Sequence, residues 1–309
     1  MQSISATVIK SVGSSFTVID PSGHQHQCKI KGTFRIKDID STNPIAVGDK
    51  VTVTFDTGTE FGLITAIEPR QNYIIRKSTN LSKQTQILAA NVDMAVLIVT
   101  PRLPKTSTGF IDRFIATAEA YHIKTILVFN KMDLFKGNDY ALVDDYKKIY
   151  ELLGYGCYEV SAKNNNGIPE VRKVMQGKTS LVAGHSGVGK SAFINAIEPT
   201  LTLRTGAISD QHQTGKHTTT FAEMFPLKAG GFIIDSPGIR ELGTVDFLPQ
   251  EVSHYFVEMR ALLPQCKFNN CLHINENKCA VKDALIAGKI SPDRYHNYLS
   301  IMEGKDLFK

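Results

Sequence analysis

The sequence predicts a multidomain protein with an N-terminal all-β barrel, a central α/β domain and a C-terminal helical segment. Three observations predict this: short alternating strands come first, longer apolar runs separated by helical stretches follow, and a Cys/His cluster lies near the end. The boundaries are expected at 1–70, 71–247 and 248–309. A chain of 309 residues is long enough for more than one core.

Five short segments that alternate or are rich in β-branched residues mark the first part. Turn signals such as Pro21-Ser22-Gly23 and Gly48-Asp49 separate them. Five strands in this length fit a small closed barrel of the OB type. A β-sandwich or an SH3-like barrel is an open alternative. The expected strands are 5–9, 15–20, 27–30, 50–55 and 63–68.

Residues 69–82 are predicted to be a polar connector to the central part. Beyond it the strand-length runs are apolar throughout, and helical stretches separate most of them. This pattern is typical of a parallel sheet covered on both faces. The expected strands are 94–100, 125–130, 180–184 and 231–235, and the expected helices are 110–121, 140–153 and 191–197.

A phosphate-binding loop of the form GxxxxGK[ST] lies between a predicted strand and a predicted helix. The backbone N–H groups of such a loop bind phosphate oxygens at a helix N-terminus. Lys190 is expected to reach the β- and γ-phosphates, and the Ser191 hydroxyl to bind Mg²⁺. The expected phosphate-binding residues are Gly184, His185, Ser186, Gly187, Val188, Gly189, Lys190 and Ser191.

A DxxG motif ends the last apolar strand. Asp235 is expected to hold Mg²⁺ through water, and the Gly238 N–H to face the γ-phosphate. A threonine-rich stretch precedes it, in which Thr218 or Thr219 is expected to meet both Mg²⁺ and the γ-phosphate. An ordinary β-branched strand start is the alternative for that stretch.

Guanine selection is predicted at an NKxD motif. The Asp133 carboxylate can accept hydrogen bonds from N1–H and the 2-amino group of guanine, neither of which adenine offers. Lys131 would pack along the base, and Asn130 would tie this motif to the phosphate loop. Ser161-Ala162-Lys163 ends another strand, where the Ala162 N–H could meet guanine O6. Four motifs at strand ends together predict GTP.

The order of these motifs is circularly permuted, because NKxD and Ser-Ala-Lys precede the phosphate loop and DxxG comes last. Isoleucine follows DxxG and cannot orient a water molecule. His217 is therefore the candidate water-positioning group, with an exposed or structural histidine as the alternative. The expected catalytic residues are Lys190, His217, Thr218 and Thr219. We expect slow intrinsic turnover.

A Cys-x4-Cys-x-His-x5-Cys cluster lies in the C-terminal segment. Three thiolates and one imidazole supply a complete tetrahedral set for one structural Zn²⁺ with no open position. Chance clustering and redox thiols are the alternatives. The expected ligands are Cys266, Cys271, His273 and Cys279.

The charge and hydropathy of the chain exclude few classes of function. The net charge is +5, and the first 70 residues hold seven basic and seven acidic side chains, so the charge permits an RNA partner without indicating one. No apolar run is long enough for a transmembrane helix, and the N-terminus lacks signal-peptide features. A cytoplasmic protein is expected.

The chain resembles the RsgA (YjeQ/YloQ) family of circularly permuted GTPases. The resemblance rests on the motif order, the stretch 89–93 (AANVD), the motifs GHSGVGKS, GKHTTT and DSPGIRE, and the cysteine spacing. It implies GTP hydrolysis to GDP and phosphate during late maturation of the small (30S) ribosomal subunit. It further implies stimulation by that subunit, 16S rRNA binding through the barrel and zinc parts, and release after hydrolysis. His217 matches the family's switch histidine.

Two other functions stay open on the sequence alone. One is a nucleotide-tuned RNA-binding protein whose hydrolysis is incidental. The other is a GTPase that serves a protein client unrelated to ribosomes. No membrane partner is expected, and nothing in the sequence suggests an obligate dimer, so we expect a monomer.

Overall fold

The computed structural model describes residues 2–30, 44–56, 61–77, 85–202, 222–235 and 247–304. The chain forms two compact units: residues 1–94, 172–182 and 200–240 make the first, and residues 95–171, 183–199 and 241–309 make the second. Over the described part of the chain, no helix combines the length and the hydrophobicity needed to cross a bilayer.

The N-terminal strands close into a five-stranded barrel of the OB type. The strand order is β1-β2-β3-β5-β4, and pairing between β1 and β4 closes the ring. Val8, Phe16 and Ile64 are fully buried in its core. The predicted barrel is confirmed. Its strands are β1 (Gln2–Val12), β2 (Ser15–Ile19), β3 (Gln25–Ile30), β4 (Lys50–Phe55) and β5 (Gly62–Ile67).

The connector predicted over 69–82 is wrong in part, because it contains a strand. β6 (Tyr73–Lys77) pairs with β7 (Thr85–Ala90) in an antiparallel hairpin. Three β-favouring residues start β6, and one of them, Ile74, is buried. Arg70 is not a solvated connector residue either: its Nε and Nη2 each lie 2.6 Å from a carboxylate oxygen of the buried Asp49.

In the described residues, the second unit contains β8 (Met94–Val99), α1 (Thr108–Ala120), β9 (Lys124–Phe129), α2 (Asp139–Glu151) and β10 (Gly156–Glu159). The helix α3 (Ile168–Met175) begins in this unit and ends in the first, and α4 (Lys190–Ile197) belongs to the second. β9 lies between β10, with which it is parallel, and β8. Every residue of β8 is buried, as expected for a strand covered on both faces.

The first unit holds the remaining strands, β11 (Thr179–Ala183), β12 (Glu223–Pro226) and β13 (Phe232–Asp235). β11 and β13 are parallel, as predicted for this sheet. β12 is antiparallel to β13 and also pairs with barrel strand β1, so the sheet is mixed rather than purely parallel. Lys10 and Glu223 face each other across that pairing at 3.1 Å.

In its described residues, the C-terminal segment contains three short α-helices, α5 (Val257–Arg260), α6 (Ala280–Ile286) and α7 (Pro292–Met302). The last has Ser291 at the N-cap and proline at the first helical position, an arrangement that favours a helix start. The cysteine cluster lies in the core of this segment. Other buried members include Val252, Phe256, Met259, Val281, Ile290, Tyr298 and Ile301.

A buried charge network joins α7 to α1. Arg294, only 2% exposed, donates from Nη1 to Asp112 Oδ1 at 2.6 Å and from Nε to Glu258 Oε1 at 2.5 Å. Asp112 also accepts hydrogen bonds from Tyr150 and Asn297. Burial alone would lower the pKa of Arg294, but the carboxylates of Asp112 and Glu258 outweigh it and raise that pKa. The arginine therefore stays charged.

Candidate nucleotide site and metal centre

The phosphate loop follows β11 and leads into α4. Its first and last glycines have positive φ values, 145° at Gly184 and 94° at Gly189. A Cβ at Gly184 would lie 2.5 Å from the Ile98 carbonyl oxygen, and one at Gly189 would lie 2.5 Å from Asn130 Nδ2. Glycine is needed at both positions because the backbone is left-handed and its neighbours are close.

Asn130 joins three of the predicted motifs. Its Nδ2 donates to the Val188 carbonyl in the phosphate loop at 2.9 Å. Its Oδ1 accepts from the Ala162 N–H at 3.2 Å, and its own N–H donates to the Val99 carbonyl at 3.0 Å. The side chain is 2% exposed, so these bonds form away from water. One amide thus holds the phosphate loop, NKxD and Ser-Ala-Lys together.

The two remaining NKxD side chains are also fixed. Ser161 donates from Oγ to Asp133 Oδ1 at 2.7 Å, which orients the carboxylate expected to select guanine. Lys131 has a left-handed backbone, with φ 66°, and its Nζ donates to the Leu103 carbonyl at 2.9 Å. Asp133 is partly buried.

Two side chains of the phosphate loop have defined surroundings. Lys190 Nζ donates to the carbonyls of Gly184 and His185, at 2.7 and 2.6 Å, so the ammonium lies inside the curve of the loop. The His185 ring stacks on Phe110 of α1, with ring centroids 3.7 Å apart. Burial, reinforced by the charge of Lys190, lowers the pKa of His185 and favours its neutral form.

For the other residues predicted to bind the nucleotide, the structure gives exposure or position in an element, or does not describe them. Ser186, Gly187 and Lys163 are exposed, and Ser191 is partly buried in the first turn of α4. Asp235 ends β13, and its neighbour β11 runs parallel to it and leads into the phosphate loop. His217, Thr218, Thr219 and Gly238 lie outside the described residues.

The predicted cysteine and histidine ligands come together. The three sulfur atoms and one ring nitrogen all lie within 4.8 Å of one another. His273 Nδ1 is 3.3 Å from Cys279 Sγ and 3.8 Å from Cys266 Sγ. Tetrahedral zinc with ordinary bond lengths holds such atoms about 3.5–3.8 Å apart. The cluster therefore fits a metal ion, with Nδ1 as the ligand atom of the histidine.

Contacts around this cluster hold its loop in shape. Tyr298 donates from its hydroxyl to the Leu272 carbonyl at 2.8 Å, and Tyr295 donates to the His273 carbonyl at 2.5 Å. The Lys282 N–H donates to Cys279 Sγ at 3.5 Å. Such outer contacts orient metal ligands. These two tyrosines were not predicted from the sequence. Their i, i+3 spacing, which puts both on one face of the helix after the cluster, is a signal that could have found them.

Family models and relatives agree with the resemblance seen in the sequence. The RsgA N-terminal domain model matches residues 6–64, and the RsgA GTPase model matches residues 67–245. A protein of Phocaeicola vulgatus named small ribosomal subunit biogenesis GTPase RsgA is 52% identical over 300 residues, covering 97% of this chain and 96% of that protein. A protein of the same name from Flavobacterium psychrophilum is 52% identical over 304 residues, covering 97% of this chain and 92% of that protein.

Two solved structures share the fold over nearly the whole chain. The crystal structure of YjeQ from Thermotoga maritima matches with a TM-score of 0.81 and 34% identity, covering 98% of each chain. YloQ, described as a circularly permuted GTPase, matches with a TM-score of 0.77 and 30% identity, covering 98% of this chain and 95% of the other. With 179 of its 309 residues inside the GTPase family model, from residue 67 to residue 245, this chain belongs to the RsgA GTPase family.

Proposed function

We propose that this protein hydrolyses GTP during biogenesis of the small ribosomal subunit, and that it binds the 16S rRNA of that subunit. The observation that carries GTP binding is the buried Asn130, which ties the phosphate loop to both guanine motifs. The subunit is proposed because relatives of 52% identity carry that function in their names. The alternative of an unrelated protein client has no comparable support.

Within this proposal the phosphate loop binds the phosphate chain. Residues 184–191 supply backbone N–H groups, and the Lys190 ammonium moves from its two carbonyl partners to the β- and γ-phosphates. Ser191, Asp235 and Thr218 or Thr219 would hold Mg²⁺, which neutralises phosphate charge when it is bound with the nucleotide. Ser191 lies in the first turn of α4 and Asp235 at the end of β13, and both are partly buried, which suits metal binding.

Asp133 is proposed to recognise the guanine base of the nucleotide. Lys131 would pack along the ring, and the Ala162 N–H would donate to guanine O6. Ser161 and Lys163 complete this side. His217 is proposed to position the attacking water, and Gly238 to meet the γ-phosphate. GTP would hold the stretch 217–220 and DxxG in the form that binds the ribosomal particle, and hydrolysis would release both and promote dissociation.

The organisation proposed for the chain keeps three functional parts, at 1–70, 71–247 and 248–309. The metal of the last part is proposed to be zinc, because three thiolates and one imidazole suit a closed tetrahedral Zn²⁺ site better than a hard cation site. We also propose that the protein is a cytoplasmic monomer.

The activity is tested by measuring GTP turnover of the purified protein alone, with small subunits and with large subunits. Strong stimulation by small subunits only is the expected result. Lys190→Ala is the matched control, because it removes the phosphate-binding ammonium and should abolish turnover in all three mixtures. Equal slow rates of GTP turnover in all three mixtures would contradict the ribosomal part of the proposal. The absence of turnover in every mixture would contradict the proposed GTP hydrolysis.

Base selection is tested with Asp133→Asn. Asparagine offers one acceptor and one donor where the carboxylate offers two acceptors, so GTP affinity should fall about 10²-fold or more, and xanthosine triphosphate should become the better ligand. Competition binding of the two nucleotides measures the switch. An unchanged preference for guanine would show that Asp133 is not the base-reading group.

A further inference from the structure

The loop between β8 and α1, residues 101–107, contacts two segments of the nucleotide site. Its Leu103 carbonyl accepts a hydrogen bond from Lys131 Nζ at 2.9 Å. A Cβ on Gly187 would lie 3.6 Å from the Cγ and Cδ atoms of Pro104, so the proline ring packs beside this phosphate-loop glycine. One short loop therefore touches both the base side and the phosphate side of the site.

Buried threonines fix the shape of this loop. Thr100 donates from Oγ1 to the Pro104 carbonyl at 2.6 Å, and its N–H donates to Thr106 Oγ1 at 3.1 Å. Tyr146 of α2 donates from its hydroxyl to the Thr106 carbonyl at 3.1 Å. Both threonines have no exposed surface. The loop is thus formed before any ligand arrives, which lowers the entropic cost of binding.

The tip of the loop nevertheless presents apolar surface. Leu103 is 47% exposed, and Pro104 beside it is exposed as well. An apolar tip on a preformed loop next to a polar ligand site is typical of a wall that covers the apolar part of that ligand.

We propose that Leu103 and Pro104 form the wall over the ribose of the bound guanine nucleotide, and that the Leu103 carbonyl positions Lys131 against the base. The proposal rests on the GTP binding proposed above. In a guanine nucleotide the ribose separates the base from the phosphates. The adjacent residues Leu103 and Pro104 touch Lys131 and Gly187, so this part of the loop lies beside that middle section. The C–H surface of the sugar suits leucine and proline.

The contact is tested by NMR on the full chain with ¹³C-labelled leucine methyl groups and saturating GDP. Leu103→Met identifies the Leu103 methyl signals by their absence. We expect nuclear Overhauser effects from those methyl groups to the ribose protons. Effects to the guanine H8 proton alone, or none, would overturn the proposal while leaving GDP binding in place. A wild-type chain that binds no GDP would instead overturn the proposed function, and this proposal with it.

Affinity gives an independent measure. Leu103→Ser should weaken GDP binding by about five- to ten-fold, because it removes the apolar cover, while Leu103→Met should restore it nearly to the wild-type value. Leu152→Ser, at a leucine 87% exposed after α2, is the matched control and should bind as the wild type does. Equal affinities for the serine and methionine variants would contradict the wall.

Discussion

Asp112→Ala is expected to cost about 3–5 kcal/mol of local stability in the second unit, because it leaves Arg294 buried with one of its two carboxylates gone. Both side chains are almost wholly inaccessible, so water cannot replace the lost partner. Asn297 and Tyr150 lose their acceptor in the same variant. Native-state hydrogen exchange at the amides of α1 and α7 measures the change.

An exposed ion pair between α1 and the end of α5 is the control. Arg260 Nη1 lies 3.0 Å from Glu119 Oε2, but the arginine side chain is half exposed, so Arg260→Ala should cost only about 0–1 kcal/mol. Equal effects of the two variants on α1 and α7 would show that the buried network contributes no more than a surface pair.

Removing the metal is expected to have the second large effect. With the proposed zinc bound, a segment this small would rely on the metal for folding, because zinc contributes about 10–16 kcal/mol in isolated zinc-finger peptides. Cys279→Ser should therefore release the ion and remove hydrogen-exchange protection from residues 266–302. The loss of protection should extend into α7, because the hydroxyls of Tyr295 and Tyr298 donate hydrogen bonds to carbonyls of the loop that carries the cysteines. Metal content by elemental analysis and exchange by mass spectrometry measure both.

Cys157→Ser is the matched cysteine control. Cys157 is partly exposed on β10, outside the cluster. Burial raises the pKa of its thiol to about 12, so the free thiol stays protonated at neutral pH. Among the described residues, it does not belong to the group of side chains placed to hold a metal ion. This variant should keep one bound ion and full protection. Retained protection in metal-free Cys279→Ser would mean that packing alone folds the segment.

Local patterns were enough to predict the barrel strands, the α/β elements and the cysteine cluster. Alternation along 50–55 and the uniformly apolar run at 94–100 each reflect which faces are buried, and β4 and β8 occupy those places. The phosphate-loop glycines were visible because the motif itself requires their backbone conformation. These features depend on neighbours in sequence.

Features that depend on distant partners were missed. Asp112 and Arg294 are charged residues on helices, and their types predict exposure; only their contact across 182 positions makes burial tolerable. The polar residues around Arg70 favour a connector and hide the strand β6, whereas in the structure Arg70 is neutralised by Asp49, which directly precedes β4. Leu103 carried no signal, since only the hydrogen bond from Lys131, 28 positions away, links it to the guanine motifs.

The separation between Asp112 and Arg294 has a consequence for synthesis of the protein. A ribosome adding about 5–20 residues per second needs roughly 9–36 s to make the 182 residues between them. During that time Asp112 in α1 has no arginine partner, and of its hydrogen-bond donors named above only Tyr150 is made early. The guanine motifs at 130–133 and 161–163 are already made, yet the unit that carries them can reach its final stability only when the last helix emerges. Nascent chains stalled before residue 294 should therefore be good substrates for proteases.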